Sequence, residues 1–198
     1  MSENLSDAGV FLIQVLFGIY LFFLMLRFVM QASRADYYNP ISQGIVKITE
    51  PAVSPFKKIL AAYRGVDFAT LVVALLVQLS MIMLVILVSG GPFFHPIYIL
   101  WALLGLVSTL FDIYFFLLIV RVISSWVAPY GGHPVTNLVY QLTEPLCRPA
   151  RRIIPPMGGL DFSVMIVMVG LILLDQYLLV RPLAMSIGVP RGLIFGLY

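Results

Sequence analysis

Four stretches of the chain stay apolar for as long as a bilayer is thick. Residues 8–26 meet no charge before Arg27, and residues 68–89 run up to Gly90-Gly91-Pro92. Residues 97–120 are broken once, by Asp112, and end at Arg121; residues 162–180 are broken once, by Asp175, and end at Arg181-Pro182. A helix needs about 20 such residues to cross the hydrocarbon core, so each stretch predicts a transmembrane helix. The segments between them follow another rhythm. In loop 40–62, Asn39-Pro40 reads as an N-cap followed by Pro at the first helical position. Ile41, Ile45 and Ile48 then form an apolar stripe at helical spacing. Pro51 is expected to end that helix, because it has no N–H to continue the ladder. Ser54-Pro55 would start a second one, with Phe56 and Ile59 apolar and Lys57-Lys58 polar. Loop 134–154 repeats the plan, from Pro134 to Glu144 and, beyond Pro145, from Pro149 to Ile154. The fold class predicted is an all-α membrane protein with four transmembrane helices and amphipathic interfacial helices in two loops.

Composition agrees with that class. Of 198 residues, 61% are hydrophobic and 11% charged, against about 25% charged in soluble domains. A water-soluble globule is excluded, and with Cys147 as the single cysteine so is a disulfide scaffold. The basic residues encode orientation. Residues 27–66 hold Arg27, Arg34, Lys47, Lys57, Lys58 and Arg64; residues 121–160 hold Arg121, Arg148, Arg151 and Arg152. The turn between the second and third spans holds none. The positive-inside rule therefore assigns both loops to the cytoplasm, and both termini to the periplasmic side. Glu3 and Asp7 ahead of a full-length first span are unlike the basic start of a cleaved signal peptide. Cys147 then falls on the reducing side, where no structural disulfide is expected.

The chain repeats itself. A shift of 94 residues lays Tyr20 on Tyr114, Arg27 on Arg121 and Pro40 on Pro134. It also lays Thr49-Glu50-Pro51 on Thr143-Glu144-Pro145, Lys57-Lys58 on Arg151-Arg152, and Gly65-Val66-Asp67 on Gly159-Leu160-Asp161. Many of these matches are charged, Pro or Gly, which apolar composition alone would not produce. Residues 1–94 form the first repeat, 95–181 the second, and 182–198 an apolar C-terminal tail. Each repeat leaves and returns to the same side, so the two are parallel, with a pseudo-twofold axis along the membrane normal rather than in its plane. Asp67 and Asp161 open the returning spans, where a carboxylate caps free backbone N–H groups; the preceding glycines permit the turn into the membrane.

The runs YNPISQGIVKITEPAVSPFKKI and HPVTNLVYQLTEPLCRPARRIIPPMGGLDFS resemble the YggT (YlmG) family of bacterial and plastid membrane proteins. The second copy is the closer match. In the first, Ala61-Ala62 stand where the family has Pro-Pro, and Arg64 where it has Gly. The resemblance implies a multi-pass protein of the bacterial inner membrane, linked to osmotic or envelope stress, with plastid relatives linked to cytochrome-complex maturation and nucleoid organisation. It implies no enzyme activity and no cofactor.

Candidate sites follow from polar groups in apolar surroundings. At 1.5 Å per residue, Asp112 lies ~13 Å, Gln78 ~16 Å and Asp175 ~21 Å from the cytoplasmic boundary. A carboxylate at mid-depth costs about 2.5–3.5 kcal/mol to insert. The expectation is that Asp112 hydrogen-bonds Gln78, and that Asp175 meets Ser80 or Gln14. Neither acid has a repeat partner, since Gly18 and Met81 occupy the matching positions; interhelical glue or docking is favoured over an ion path. Arg27 and Arg121 read first as snorkelling anchors with a helix C-terminal charge, and in the sharper alternative as ion pairs to Glu50 and Glu144. Lys57, Lys58 and Arg148 are expected to face anionic lipid of the inner leaflet. His95 and His133 fall on opposite sides, so they cannot share a metal or a haem. The basic run 148–152 lacks interleaved aromatics, and no specific nucleic-acid binding is expected. The reading is a non-enzymatic assembly, stabilising or interaction factor whose partner is another membrane protein or complex, or a second copy of itself. The rival is a small-ion channel or transporter using Asp112 and Asp175.

Overall fold

The computed structural model describes residues 2–60, 65–127, 132–154 and 161–194. The regular elements among them are all helical: α1 (Ser2–Ala32), α2 (Pro40–Lys57), α3 (Phe68–Val88), α4 (Ile97–Val127), α5 (Pro134–Ile153), α6 (Phe162–Ile172), a π-helical turn (Leu173–Leu178) and α7 (Val180–Ser186). Four segments are long and apolar enough to span a membrane: Ser6–Ala32, Phe68–Val88, Ile97–Val127 and Phe162–Ser186. The chain is an all-α, four-span protein.

Local chemistry sets the starts of these helices. Asn39 accepts a hydrogen bond from the Ile41 N–H at 2.9 Å, and the His133 Nδ1 accepts from Val135 at 3.3 Å. Asp67 accepts from Thr70 and Asp161 from Ser163, which are the capping roles expected of both aspartates.

Both loops depart from the expected pairs of short segments. α2 runs unbroken through Pro51 and Pro55, and α5 through Pro145 and Pro149. All four prolines lie on the exposed side, so the carbonyls they leave unbonded face outward, and the cost of an interior proline is reduced by solvation. The buried face of α2 is Ser42, Ile45, Thr49 and Val53. Ile41 and Ile48, expected in the stripe, are exposed. Ser42 and Thr49 lie inside instead, and Thr49 is there to bond a buried arginine.

The fourth span is not the single helix expected over 162–180. α6 gives way to the π-helical turn, the chain breaks at Leu179, and α7 restarts at Val180. The restart puts Pro182 in a first turn, where its missing N–H needs no intrahelical acceptor. The tail then folds back on its own bundle. Leu193 and Ile194 are buried against Met81, Ile82, Tyr98 and Trp101; the Gln14 amide donates to the Gly192 carbonyl at 2.7 Å, and the Trp101 indole to Ile187 at 3.1 Å.

Both elbows, α2 and α5, sit at the same end of the bundle and touch there. The Asn39 amide donates to the Pro134 carbonyl at 2.7 Å, and the Asp36 N–H to Gln141 at 2.8 Å. The repeats are therefore parallel. A core of Leu24, Val29, Val53, Ala74 and Leu142 fills the elbow half. The cluster around Trp101 fills the opposite half.

Candidate functional site

The two elbows carry the same buried clamp. Arg27 lies inside α1, five residues before its end, and is 4% exposed; Arg121 in α4 is 3% exposed. Neither is a snorkelling anchor at a helix terminus. The helices continue past them, and each guanidinium turns inward to the elbow helix. Arg27 donates to Thr49 Oγ1 at 2.8 Å and to Glu50 Oε2 at 2.6 Å. Arg121 repeats the pattern with Thr143 at 2.7 Å and Glu144 at 3.3 Å. Each threonine hydroxyl also donates back to its own helix, to Ile45 and Val139, so the hydroxyl is fully used. That explains why Thr49 is on the inner face of α2: a buried guanidinium demands several acceptors.

Around this shared pair the copies differ. In the first, Lys57 joins Glu50 at 3.1 Å. In the second, Arg151 bridges Glu144 at 2.8 Å and Asp161 at 3.0 Å, with Arg121 within 3.6 Å of Asp161. Asp161 further accepts from the Ser163 hydroxyl. The ring of Tyr140 packs on Arg121, 4.4 Å from its guanidinium carbon. The hydrogen bond from Arg27, helped by Lys57, holds the Glu50 carboxyl below its usual range despite partial burial. Burial pushes Asp161 up, but hydrogen bonds from Ser163 and Arg151 outweigh it and the net shift is downward. Cys147, buried on α5, has its thiol pushed up by desolvation. Lys58, Arg148 and Arg152 are exposed; among the described residues no ion pair holds them. Pro51 and Pro145 follow the clamp on the outer face. Gly159 lies outside the described residues.

Within the spans the expected contacts are replaced by others. Gln78 is buried against α4, its amide filling the space left by Gly105: a Cβ there would meet Gln78 Nε2 at 2.6 Å. It does not reach Asp112. That carboxylate lies exposed in a groove of about 490 Å³ between α1 and α4, otherwise lined by apolar groups and Thr109, with Gly18 on the opposite wall. Asp175 accepts from the Gln176 amide at 2.6 Å, and Gln176 accepts from Arg181 at 3.3 Å. Ser80 and Gln14 are elsewhere engaged, by Leu76 and Gly192. The π-helical turn brings Gln176 beside Asp175, which a regular helix does not foretell. Among the described residues, no group of three or more His, Cys, Asp and Glu converges as a metal site would require.

A family model described as CCB3/YggT matches residues 6–88 and again 100–182. The chain belongs to the CCB3/YggT family. The two matches start at 6 and 100 and end at 88 and 182, an offset of 94 residues at each end, so the family unit is the repeat itself. An uncharacterized protein of Pseudomonas aeruginosa is 38% identical over 193 residues, covering 96% of this chain and 97% of its own length. The uncharacterized protein in the proC 3′ region of Vibrio alginolyticus is 41% identical over 163 residues, 81% of this chain and 88% of its own. The uncharacterized YggT of Escherichia coli K12 is 38% identical over 166 residues, 84% and 86%. No solved structure matches the chain.

In this YggT-family chain the sequence pointed to the arginines and glutamates of the clamp but missed Thr49, Thr143 and Tyr140. The two threonines were legible in principle. Each stands beside its glutamate, identical in both copies. Tyr140 has no such signal, since Val46 occupies the matching position.

Proposed function

We propose that the chain is a non-enzymatic assembly or stabilising factor that docks another membrane protein along the α1–α4 groove. The observation that carries this is the exposed Asp112 in an apolar groove. A carboxylate facing lipid at mid-depth costs about 2.5–3.5 kcal/mol, and a partner helix bringing a cationic or hydrogen-bonding side chain removes that cost. Gly18, opposite, leaves room for a helix to approach closely, as small residues do at membrane interfaces. The clamps tie α1 to α2 and α4 to α5, and the hydrogen bonds between the elbows join the two halves at the cytoplasmic end of the groove. The elbows face the cytoplasm of a bacterial inner membrane, by the distribution of basic residues, and their exposed Lys58, Arg148 and Arg152 meet anionic lipid. The family resemblance supports a role in osmotic or envelope stress, through the stability of the docked component.

The rival is an ion path. It is favoured by the buried Asp175 Oδ1, which has no partner among the described residues. One experiment separates the two. A photo-crosslinking residue at Phe116, on the groove wall, is expected to trap one membrane protein in intact cells. The adduct should vanish in Asp112→Leu and survive in Asp112→Glu. An adduct indifferent to residue 112, or cation flux into liposomes abolished by Asp112→Asn, would contradict the docking role.

A further inference from the structure

The two elbows share a clamp but not a surface. Beside the first clamp, α1 and α2 enclose a cleft of about 890 Å³, within the range of small-ligand sites. Four cations line it, Arg27, Arg34, Lys47 and Lys57, against the single carboxylate of Glu50, a surplus of three positive charges. Glu50 is already occupied by Arg27 and Lys57. Arg34 and Lys47 have no acidic partner among the described residues, and the hydroxyl- or amide-bearing Tyr37, Gln43 and Ser54 stand beside them.

Arg34 occupies a costly position. The Ala35 N–H bonds to the Met30 carbonyl and the Arg34 N–H to Gln31, the Schellman pattern that closes a helix. Arg34 fills its left-handed slot at φ 52°, which normally belongs to glycine. A long cation held there against backbone preference points to work for the side chain.

The second repeat is an internal control. At the matching positions Arg34 becomes Ala128, Lys47 becomes Gln141, and Val46 becomes Tyr140. Tyr140 covers Arg121, and Gln141 is engaged by Asp36. A smaller pocket of about 240 Å³ beside Arg121 lies instead between α4 and the start of α6, with Asp161 in its lining. The clamp is retained in both copies, but two of the four cations of the first cleft have no charged counterpart in the second.

We propose that this cleft binds a phosphate-bearing anion, with Arg34 and Lys47 as its direct ligands and the Arg27–Glu50–Lys57 cluster as its floor. The phosphate belongs either to an anionic lipid headgroup or to a soluble molecule. Detergent-purified full chain, titrated with short-chain phosphatidylglycerol or with inorganic pyrophosphate and read by native mass spectrometry, tests it; phosphatidylcholine is the zwitterionic control. Lys47→Gln should weaken retention about tenfold, the worth of one charge-assisted hydrogen bond, and Arg34→Gly by a similar factor. Arg34→Gly should also raise the melting temperature by relieving the backbone, so weaker binding in a more stable variant cannot be misfolding. Retention of either probe with these losses supports the site, and the probe retained identifies the source. Retention of neither, or an equal loss in Lys58→Gln outside the cleft, overturns it.

Discussion

The Gln78 amide survives at 1% exposure because Gly105 gives it the volume of a missing side chain. Gly105→Ala would place a methyl group 2.6 Å from Nε2 and 3.0 Å from the amide carbon, so the buried side chain has to shift. Overpacking of this kind costs about 1–3 kcal/mol. Thermal unfolding in detergent should show a clear loss for Gly105→Ala, and a neutral result would mean that Gln78 is free to move. Cys147 makes a second point at this scale. Fully buried, with its thiol pushed up, it is expected to react with a maleimide only as the chain unfolds, since the thiolate is the reactive form. Fast labelling of the folded protein would contradict its placement. Gln78, Asp112 and Asp175 were legible in the sequence as polar groups in apolar spans. Their partners were not, because depth counted along an ideal helix takes no account of the space at Gly105 or of the π-helical turn at 173–178.

At the level of elements, the elbow is held by a charge pair whose halves are unequally buried. Arg27 is enclosed while the Glu50 side chain is 41% exposed. Glu50→Gln leaves a guanidinium inside with Thr49 as its remaining anchor, and should cost about 1–3 kcal/mol. Arg27→Met leaves only a carboxylate that water and Lys57 still satisfy, and fills the space with apolar volume, so it should cost less. A double-mutant cycle by thermal unfolding checks the order; the reverse order would mean that Glu50, not Arg27, is the buried member. The pH dependence has a definite sign. Glu50 and Asp161 titrate below their ordinary values when folded, so the unfolded chain takes up protons first on acidification. Their stabilisation is complete above the ordinary carboxylate range and is lost as pH falls through the folded values. Glu50→Gln should therefore flatten the acid limb of melting temperature against pH. The elbow helices themselves were only half legible. Asn39-Pro40 marked the start of α2 correctly, but Pro51 was read as a stop because its position on the outer face, where a freed carbonyl can be solvated, is a property of packing. The inner face was misread for a related reason: Thr49 is inside to serve a buried arginine, not to add apolar area.

For the whole molecule, the duplication was the most legible feature, since matched prolines, glycines and charges at one spacing survive the noise of an apolar sequence. The structure adds that the copies have drifted. The second returning span breaks near Pro182, the tail seals the end opposite the elbows, and the first elbow carries a basic cleft while Tyr140 packs on Arg121 in the second. The claim on which the account turns is that two parallel elbows lie together on the cytoplasmic face. Single cysteines at Lys58, Arg152 and Phe93, all exposed, report this directly with a membrane-impermeant maleimide. In intact cells the account predicts labelling at position 93 alone, with 58 and 152 reacting only after permeabilisation. Labelling of either elbow from outside, or opposite behaviour of the two, would contradict it.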